Sequence, residues 1–246
     1  MHQLRALFRL LGMVVIISTR LIPVVTGVTV FKKDIMWAIR QRQGIAGALV
    51  RFLNIKVTQT GHPQDGNFLF ISNHQSYIDP VPTAHAVAFL PVAKAEVAKW
   101  PLFGFAVKAT GILFVVREDR DSRAGIRAAV RTALAGGMPV LIYPEGTTST
   151  SSCMLPIRPA TFQTAAELGI GVVPIAIRYD DSTDAWVGDD QFIPHFMRCF
   201  GKPEVRVRLH FGDPVFDRDS EILMKKVRGI IDGKLAEWAA DTGRDV

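Results

Sequence analysis

From Ile55 onward, short apolar runs of β-favouring residues alternate with stretches of helical spacing, and few folds accommodate that order. The runs are residues 55–60, 68–71, 89–93, 112–116, 140–143, 172–177 and 205–211. Helix-like stretches fall at 81–87, 94–110 (broken by Pro101 and Gly104), 122–135, 158–168 and 220–240. Several runs are apolar throughout rather than alternating, as in strands covered on both faces. The expected fold is therefore α/β: a mostly parallel sheet flanked by helices, occupying residues 54–246. There is no internal repeat and no low-complexity segment.

Residues 1–53 read differently. Two apolar runs, 10–17 and 21–31, are separated by Arg20 and closed by Lys32-Lys33. Neither alone reaches the ~20 residues that a spanning helix needs. Joined, they would carry Arg20 near the middle of a bilayer at a cost of ~2.5–3.5 kcal/mol, with Pro23 and Gly27 interrupting the helix. The reading preferred over a clean span is two helices dipping into one leaflet. Residues 34–53 then read as a basic amphipathic helix, or equally as a surface helix facing the core. Charge supports a membrane partner. Residues 1–60 hold nine Lys or Arg against the single acid Asp34, a surplus of +8, which leaves −2 for the remainder of a +6 chain. No zinc-finger or aromatic RNA-binding pattern points to nucleic acid. Only Cys153 and Cys199 are present, so there is neither a disulfide framework nor a zinc spacing, and no metal site is expected.

Chemistry concentrates at strand ends. Run 68–71 leads into Asn73-His74, and Asp79-Pro80 reads as a helix start with Asp at the N-cap. On one helix His74 and Asp79 would face apart, at ~100° per residue. Across a strand-to-helix turn they can meet, giving an imidazole oriented by a carboxylate, a general base for a hydroxyl. A core histidine beside a helix cap is the plainer alternative. Run 112–116 ends at Arg117, a bidentate partner for phosphate or one half of a surface ion pair with Glu118 or Asp119. Run 140–143 ends at Pro144-Glu145-Gly146-Thr147, a polar-ligand turn or simply a turn. In a parallel sheet all these ends share one edge.

These blocks, in this order, resemble the glycerolipid acyltransferase family, whose central bacterial member is 1-acyl-sn-glycerol-3-phosphate acyltransferase. The resemblance spans about residues 50–215. It is carried by Asn73-His74-Gln75-Ser76-Tyr77-Ile78-Asp79, Lys94-Ala95-Glu96 with Pro101 and Gly104, and the block from Gly111 to Arg117. Pro144-Glu145-Gly146-Thr147 and the block from Val172 to Ile177 complete it. It implies that His74 is the base and Asp79 its orienting partner, in direct attack of a hydroxyl on an acyl thioester without an enzyme nucleophile. No Gly-x-Ser-x-Gly elbow is present, which agrees. It implies substrate contacts from Asn73, Lys94, Gly111, Arg117, Glu145, Gly146, Thr147 and Arg158. No cofactor is implied beyond acyl-CoA or acyl-carrier protein as co-substrate. The implied place is a bacterial-type inner membrane, with residues 1–53 in the bilayer and the α/β domain on the cytoplasmic side.

The acceptor that the resemblance implies first is 1-acyl-sn-glycerol-3-phosphate, giving phosphatidic acid. Two positions depart from that pattern: Thr148 stands where an arginine often follows the threonine, and Ile157-Arg158 where a phenylalanine-lysine pair is usual. They leave room for another lysophospholipid or a lyso-ornithine lipid. A catalytically inert lipid-binding membrane protein and a thioester hydrolase are the readings from other classes.

Overall fold

The computed structural model describes residues 1–94, 112–115 and 120–242. The expected helical stretch 94–110 lies almost wholly outside the described residues, as do Glu96, Gly111 and Arg117. Among the described residues the sheet has seven strands: β1 (Ile55–Gly61), β2 (Leu69–Ser72), β3 (Leu90–Lys94), β4 (Leu113–Val115), β5 (Val140–Ile142), β6 (Val172–Tyr179) and β7 (Val205–Phe211). Their order is β1-β7-β6-β2-β5-β3-β4. Every neighbouring pair is parallel except β6 with β7. The mostly parallel sheet is thus as expected, and β2 to β6 all end at one edge.

Period-2 alternation splits the core. Phe70, Leu141, Val173, Ile175 and Ile177 face the layer of helices α1 (His2–Thr29), α2 (Ile35–Phe52), α3 (Pro80–Ala86) and α6 (Phe192–Gly201). Leu69, Ile71, Val140, Val172 and Ala176 face α4 (Arg120–Ala135), α5 (Gln163–Leu168) and α7 (Ser220–Thr242). Burial on both faces is what made these strands apolar throughout in the sequence.

Three expectations change. The two apolar runs at the N-terminus form one 28-residue helix, α1, continuous through Pro23. Interior proline costs a helix ~3 kcal/mol, and docking along α2 and α6 offsets it. Gly12 and Gly27 allow that docking, since a Cβ on either would lie 2.0 Å from the Phe52 ring or 2.4 Å from the Trp37 ring. Arg9 is buried and donates to the carbonyls of Phe200 (3.0 Å), Lys202 (2.7 Å) and Pro203 (2.8 Å), at the end of α6. The helix expected over 158–168 is a 3-10 turn, Pro159–Thr161, followed by the six-residue α5. Its first bonds, from the Thr161 and Phe162 amides to the Arg158 and Pro159 carbonyls, close the tighter i to i+3 ring. Helix α6 was not expected at all. Pro194 reads as a breaker in sequence, yet it sits in the first turn, where no intrahelical N–H is needed.

Candidate active site

Strand β2 runs between β6 and β5, and all four of its residues are buried. Where β2 leaves the sheet, Asn73 continues the ladder with its side chain. Its amide nitrogen donates to the Ile177 carbonyl at 2.9 Å, and its oxygen accepts from the Ile177 N–H at 2.8 Å. Gln75 does the same one step on, its side-chain oxygen accepting from the Tyr179 N–H at 3.2 Å. The chain then turns back into α3, with Asp79 at the N-cap position and Pro80 in the first turn as expected.

The Asp79 side chain, however, does not cap α3. It is fully buried and gathers four donors from the turn and from β6. One carboxylate oxygen lies 2.8 Å from His74 Nδ1 and accepts from the N–H groups of Gln75 (2.7 Å) and Ser76 (3.0 Å). The other accepts from the Tyr179 hydroxyl at 2.8 Å. A carboxylate that only accepts fixes the imidazole tautomer: Nδ1 carries the proton and Nε2 keeps its lone pair. The Tyr143 ring stacks on the imidazole at 4.2 Å and 20°. Burial, and then the charge of Asp79, raises the hydroxyls of both Tyr143 and Tyr179 well above the usual tyrosine range, so both stay protonated.

The turn after β5 lies against this one. The Ser149 N–H donates to the His74 carbonyl at 2.9 Å. Gly146 adopts φ +73°, a left-handed conformation that glycine takes without strain, and this closes the turn on the Tyr143 carbonyl. Both carboxyl oxygens of Glu145 are buried and without a hydrogen-bond partner. Burial pushes that carboxyl up to about 7. The nearby Leu155 and His74 amides oppose the shift, though neither closes a bond with its oxygens. Thr147 is exposed. Thr148 donates to the Trp186 carbonyl, and the Trp186 N–H donates to the Gln75 carbonyl at 2.8 Å, so a third loop, after β6, braces both turns.

The structure therefore brings together Asn73, His74, Asp79, Glu145, Gly146 and Thr147 from the sequence-derived set. Asn73 serves the turn rather than the open cleft, since both ends of its amide are engaged by Ile177. Lys94 ends β3, paired in register with Val115 of β4, at the same sheet edge. Gly111 and Arg117 lie outside the described residues. Arg158 is exposed, just before the 3-10 turn. Sequence reasoning missed Tyr143, Tyr179, Ser149 and Trp186 as parts of the site. Tyr179 closes β6 and Tyr143 directly follows β5, both at the active edge, the one local signal that marked them.

With this geometry in hand, comparison with known proteins defines the class. The Acyltransferase family model matches residues 54–178, and the chain belongs to that family. It is 31% identical over 169 residues to a lyso-ornithine lipid O-acyltransferase of Pseudomonas aeruginosa, covering 66% of this chain and 65% of that one. It is 28% identical over 187 residues to the enzyme of that name from Brucella abortus, covering 68% and 70%. To a 1-acyl-sn-glycerol-3-phosphate acyltransferase of Neisseria meningitidis it is 31% identical over 141 residues, covering 57% and 54%. The chain thus spans from about half to about two thirds of the length of these relatives. The crystal structure of the 1-acyl-sn-glycerophosphate acyltransferase PlsC from Thermotoga maritima superposes with a TM-score of 0.68 over 98% of both chains, at 21% identity, which establishes the shared fold.

Proposed function

We propose that this protein is a membrane-bound O-acyltransferase that moves an acyl chain from a CoA or acyl-carrier-protein thioester to the free hydroxyl of a lyso-lipid. The observation that carries this reading is the 2.8 Å contact between His74 Nδ1 and Asp79 inside a turn that leaves Nε2 as the basic nitrogen. Nε2 takes the proton from the acceptor hydroxyl as its oxygen attacks the thioester carbonyl. The imidazolium that forms is stabilised by Asp79. Collapse of the tetrahedral intermediate breaks the carbon–sulfur bond, and the departing thiolate recovers the proton from Nε2. No covalent enzyme intermediate is needed. Glu145, Gly146 and Thr147 shape the acceptor side, and Lys94 and Arg117 supply cations for an anionic head group.

1-Acyl-sn-glycerol-3-phosphate is the first acceptor to consider. A lyso-ornithine lipid is the second, and one observation favours it: the Thr148 hydroxyl is committed to the Trp186 carbonyl, at a position where a phosphomonoester would profit from a cation. The longer matched spans belong to relatives named for that lipid.

Helix α1 is long and apolar enough to cross a bilayer by length and composition. Its attachment to α6 through Arg9 supports lying in one leaflet instead. Leu4, Phe8, Leu11, Val15 and Ile22 are exposed along it at helical spacing. On this reading residues 1–53 are the membrane segment and the α/β domain sits on the cytoplasmic face.

The test offers one thioester donor to the detergent-solubilised protein with lysophosphatidic acid, lysophosphatidylcholine, lysophosphatidylethanolamine and lyso-ornithine lipid in turn. Transfer to at least one acceptor, abolished in His74→Ala, is expected. Thioester loss without any acceptor would replace this reading with a hydrolase. Lipid binding without transfer would leave an inert lipid-binding protein.

A further inference from the structure

Helix α6 carries His195, the one histidine among the described residues that is fully buried. Both of its ring nitrogens are spent at the active edge of the sheet. Nε2 lies 3.0 Å from the Ala185 carbonyl, and Nδ1 lies 3.3 Å from the Tyr77 hydroxyl. A carbonyl only accepts, so Nε2 carries the proton and Nδ1 is left to accept from Tyr77. Burial fits that assignment twice. It lowers the His195 pKa, which keeps the ring neutral at neutral pH, and it raises that of the Tyr77 hydroxyl, which keeps it a donor. His195 therefore holds the tautomer opposite to that of His74. The Cys199 thiol, one turn further along α6, is 3.5 Å from Nδ1 and adds a weak contact.

A buried histidine is commonly a packed core residue, and His195 does pack, edge-on to the Tyr77 ring at 5.3 Å. Its two partners make it more than that. Tyr77 stands between His74 and Asp79 in the β2 turn, and its ring also meets those of Trp186 (5.1 Å) and Phe192 (5.2 Å). Ala185 directly precedes Trp186, whose N–H donates to the Gln75 carbonyl and whose carbonyl accepts from Thr148. One nitrogen thus holds the turn that carries the base, and the other holds the loop that braces the turn after β5. At its far end α6 is fixed to α1, where Arg5 donates to the Gly201 carbonyl and Arg9 to that of Phe200, each at 3.0 Å. Phe196 and Phe200 are fully buried along the way. The imidazole is presented from a helix pinned at both ends.

We propose that His195 is a positioning residue with two separable tasks: Nδ1 holds the His74–Asp79 turn in place through Tyr77, and Nε2–H holds the Trp186 loop, and with it the acceptor side, through Ala185. The inference rests on the acyl-transfer reading above for the reaction it serves. It gives the base turn a support from α6 in addition to those from β6. The effect on the base is indirect, carried by the Tyr77 side chain and the backbone that joins it to His74.

The experiment separates the two nitrogens in the full-length, detergent-solubilised protein. Asparagine places an amide oxygen where Nδ1 stood and keeps the Tyr77 bond alone; glutamine places an amide nitrogen where Nε2 stood and keeps the Ala185 bond alone. His195→Gln should therefore lower kcat about five- to twentyfold, with the acceptor KM within about twofold of wild type. His195→Asn should instead raise that KM about three- to tenfold, with kcat within about twofold. Tyr77→Phe removes the same hydroxyl bond from the other side and retains the ring contacts. It should match His195→Gln, and the double variant should be no slower than either single one. Rates are taken per folded protein. A readout without turnover is His74 itself, by nitrogen NMR of its ring: His195→Gln and Tyr77→Phe should mix its two tautomers, whereas wild type and His195→Asn should keep the proton on Nδ1. The proposal is overturned if all variants keep kcat and KM at wild-type values, if glutamine and asparagine lower kcat alike, or if the losses trace wholly to unfolded protein. A wild type that transfers no acyl chain to any acceptor would end the acyl-transfer reading. The His74 tautomers then decide this proposal alone, and an unchanged tautomer in His195→Gln overturns it.

Discussion

The turn after β2 and the turn after β5 meet at the same sheet edge, yet they are finished to different degrees. In the first, both Asp79 oxygens have donors, and the amides of Asn73 and Gln75 are tied to β6. In the second, Glu145 presents two buried oxygens that close no hydrogen bond, although the Leu155 and His74 amides lie near them. A buried polar group without a partner costs roughly 1–3 kcal/mol. Ser76 Oγ is the one buried side-chain polar atom of the first turn without a partner, yet the bonds to Asp79 and β6 hold the imidazole in place before any ligand arrives, which suits a base that must hold one tautomer. The second carries a deficit that a hydrogen-bond donor elsewhere on the ligand, such as a head-group hydroxyl or N–H, would remove. Under the proposed function, the β2 turn does the proton chemistry and the β5 turn recognises what is acylated.

The largest expected effect strikes the finished turn. His74→Ala removes the base and should lower acyl transfer by about 10⁴-fold. The imidazole's hydrogen-bond partner lies within its own turn and the ring is partly exposed, so the fold should persist by circular dichroism. Asp79→Asn should follow, with a fall of about 10²–10³-fold. An amide nitrogen facing Nδ1 forces the other tautomer and places the proton on Nε2. Unlike His74→Ala, this change should also cost about 2–4 kcal/mol in thermal denaturation, because the donors from Gln75, Ser76 and Tyr179 share those two oxygens. Wild-type activity in the Asp79→Asn variant would show that the tautomer argument is wrong and would erase the distinction between the turns.

The two turns also differ in how legible they were. The local part of the first could be read directly: an apolar strand, then His74, then Asp-Pro opening a helix. What made it rigid could not. The Tyr179 hydroxyl on Asp79 and the Ile177 peptide on Asn73 join residues at least 100 positions apart, and no spacing rule reports such a pair. The parallel sheet was legible because both-face burial writes itself into apolar strands. Helix α1 was misread as two helices because Pro23 and Arg20 are penalised by local rules, while the docking that offsets them is tertiary. Helix α6 lies between runs 172–177 and 205–211, where no element was read, and it is its packing of Phe196, Cys199 and Phe200 into the core that defines it. In the second turn, Glu145-Gly146 announced a bend, but the burial of the carboxyl depends on the Met154 segment. That segment is held to α7 by Asp232, which accepts from the Met154 N–H at 2.6 Å, and by Arg228, which donates to the Met154 carbonyl at 2.7 Å.

A smaller effect, opposite in sign, should come from the unfinished turn. Glu145→Gln keeps the shape and removes the ionisable group. With its carboxyl raised from about 4.5 to about 7 in the folded protein, the wild type holds this proton more tightly folded than unfolded. Below about pH 4.5 both states are protonated and the group carries no penalty. As pH rises from there to about 7, the unfolded state ionises first and wild-type stability falls. Above 7 the loss is complete. Discounted for the group's partial exposure, it amounts to about 1–2 kcal/mol. Glu145→Gln should therefore be more stable than wild type at pH 8, with no gain at pH 4, while the KM for the lyso-lipid acceptor rises several-fold. Loss of stability at pH 8 would mean that Glu145 has a partner in the folded protein and that the turn is as complete as its neighbour.

The smallest effect should come from the brace between the turns. Thr148→Val removes one hydroxyl from the Trp186 carbonyl, a half-exposed group that water can partly satisfy, so the stability cost should stay within about 0.5–1.5 kcal/mol. The value of the change lies in its asymmetry. The Trp186 loop would still be fixed to the first turn by its own N–H on the Gln75 carbonyl, and the His74–Asp79 contact would be untouched. The acceptor KM should then move about two- to fivefold with kcat within twofold of wild type. A fall in kcat as large as the change in KM would show that the brace carries strain from one turn to the other, and that base and acceptor site work as a single unit. Thr148→Arg sharpens the same point. It cuts the brace as Thr148→Val does, but it also adds a cation beside Glu145. If it raises the preference for lysophosphatidic acid over lyso-ornithine lipid while Thr148→Val does not, charge at this position, rather than the brace, sets the head group.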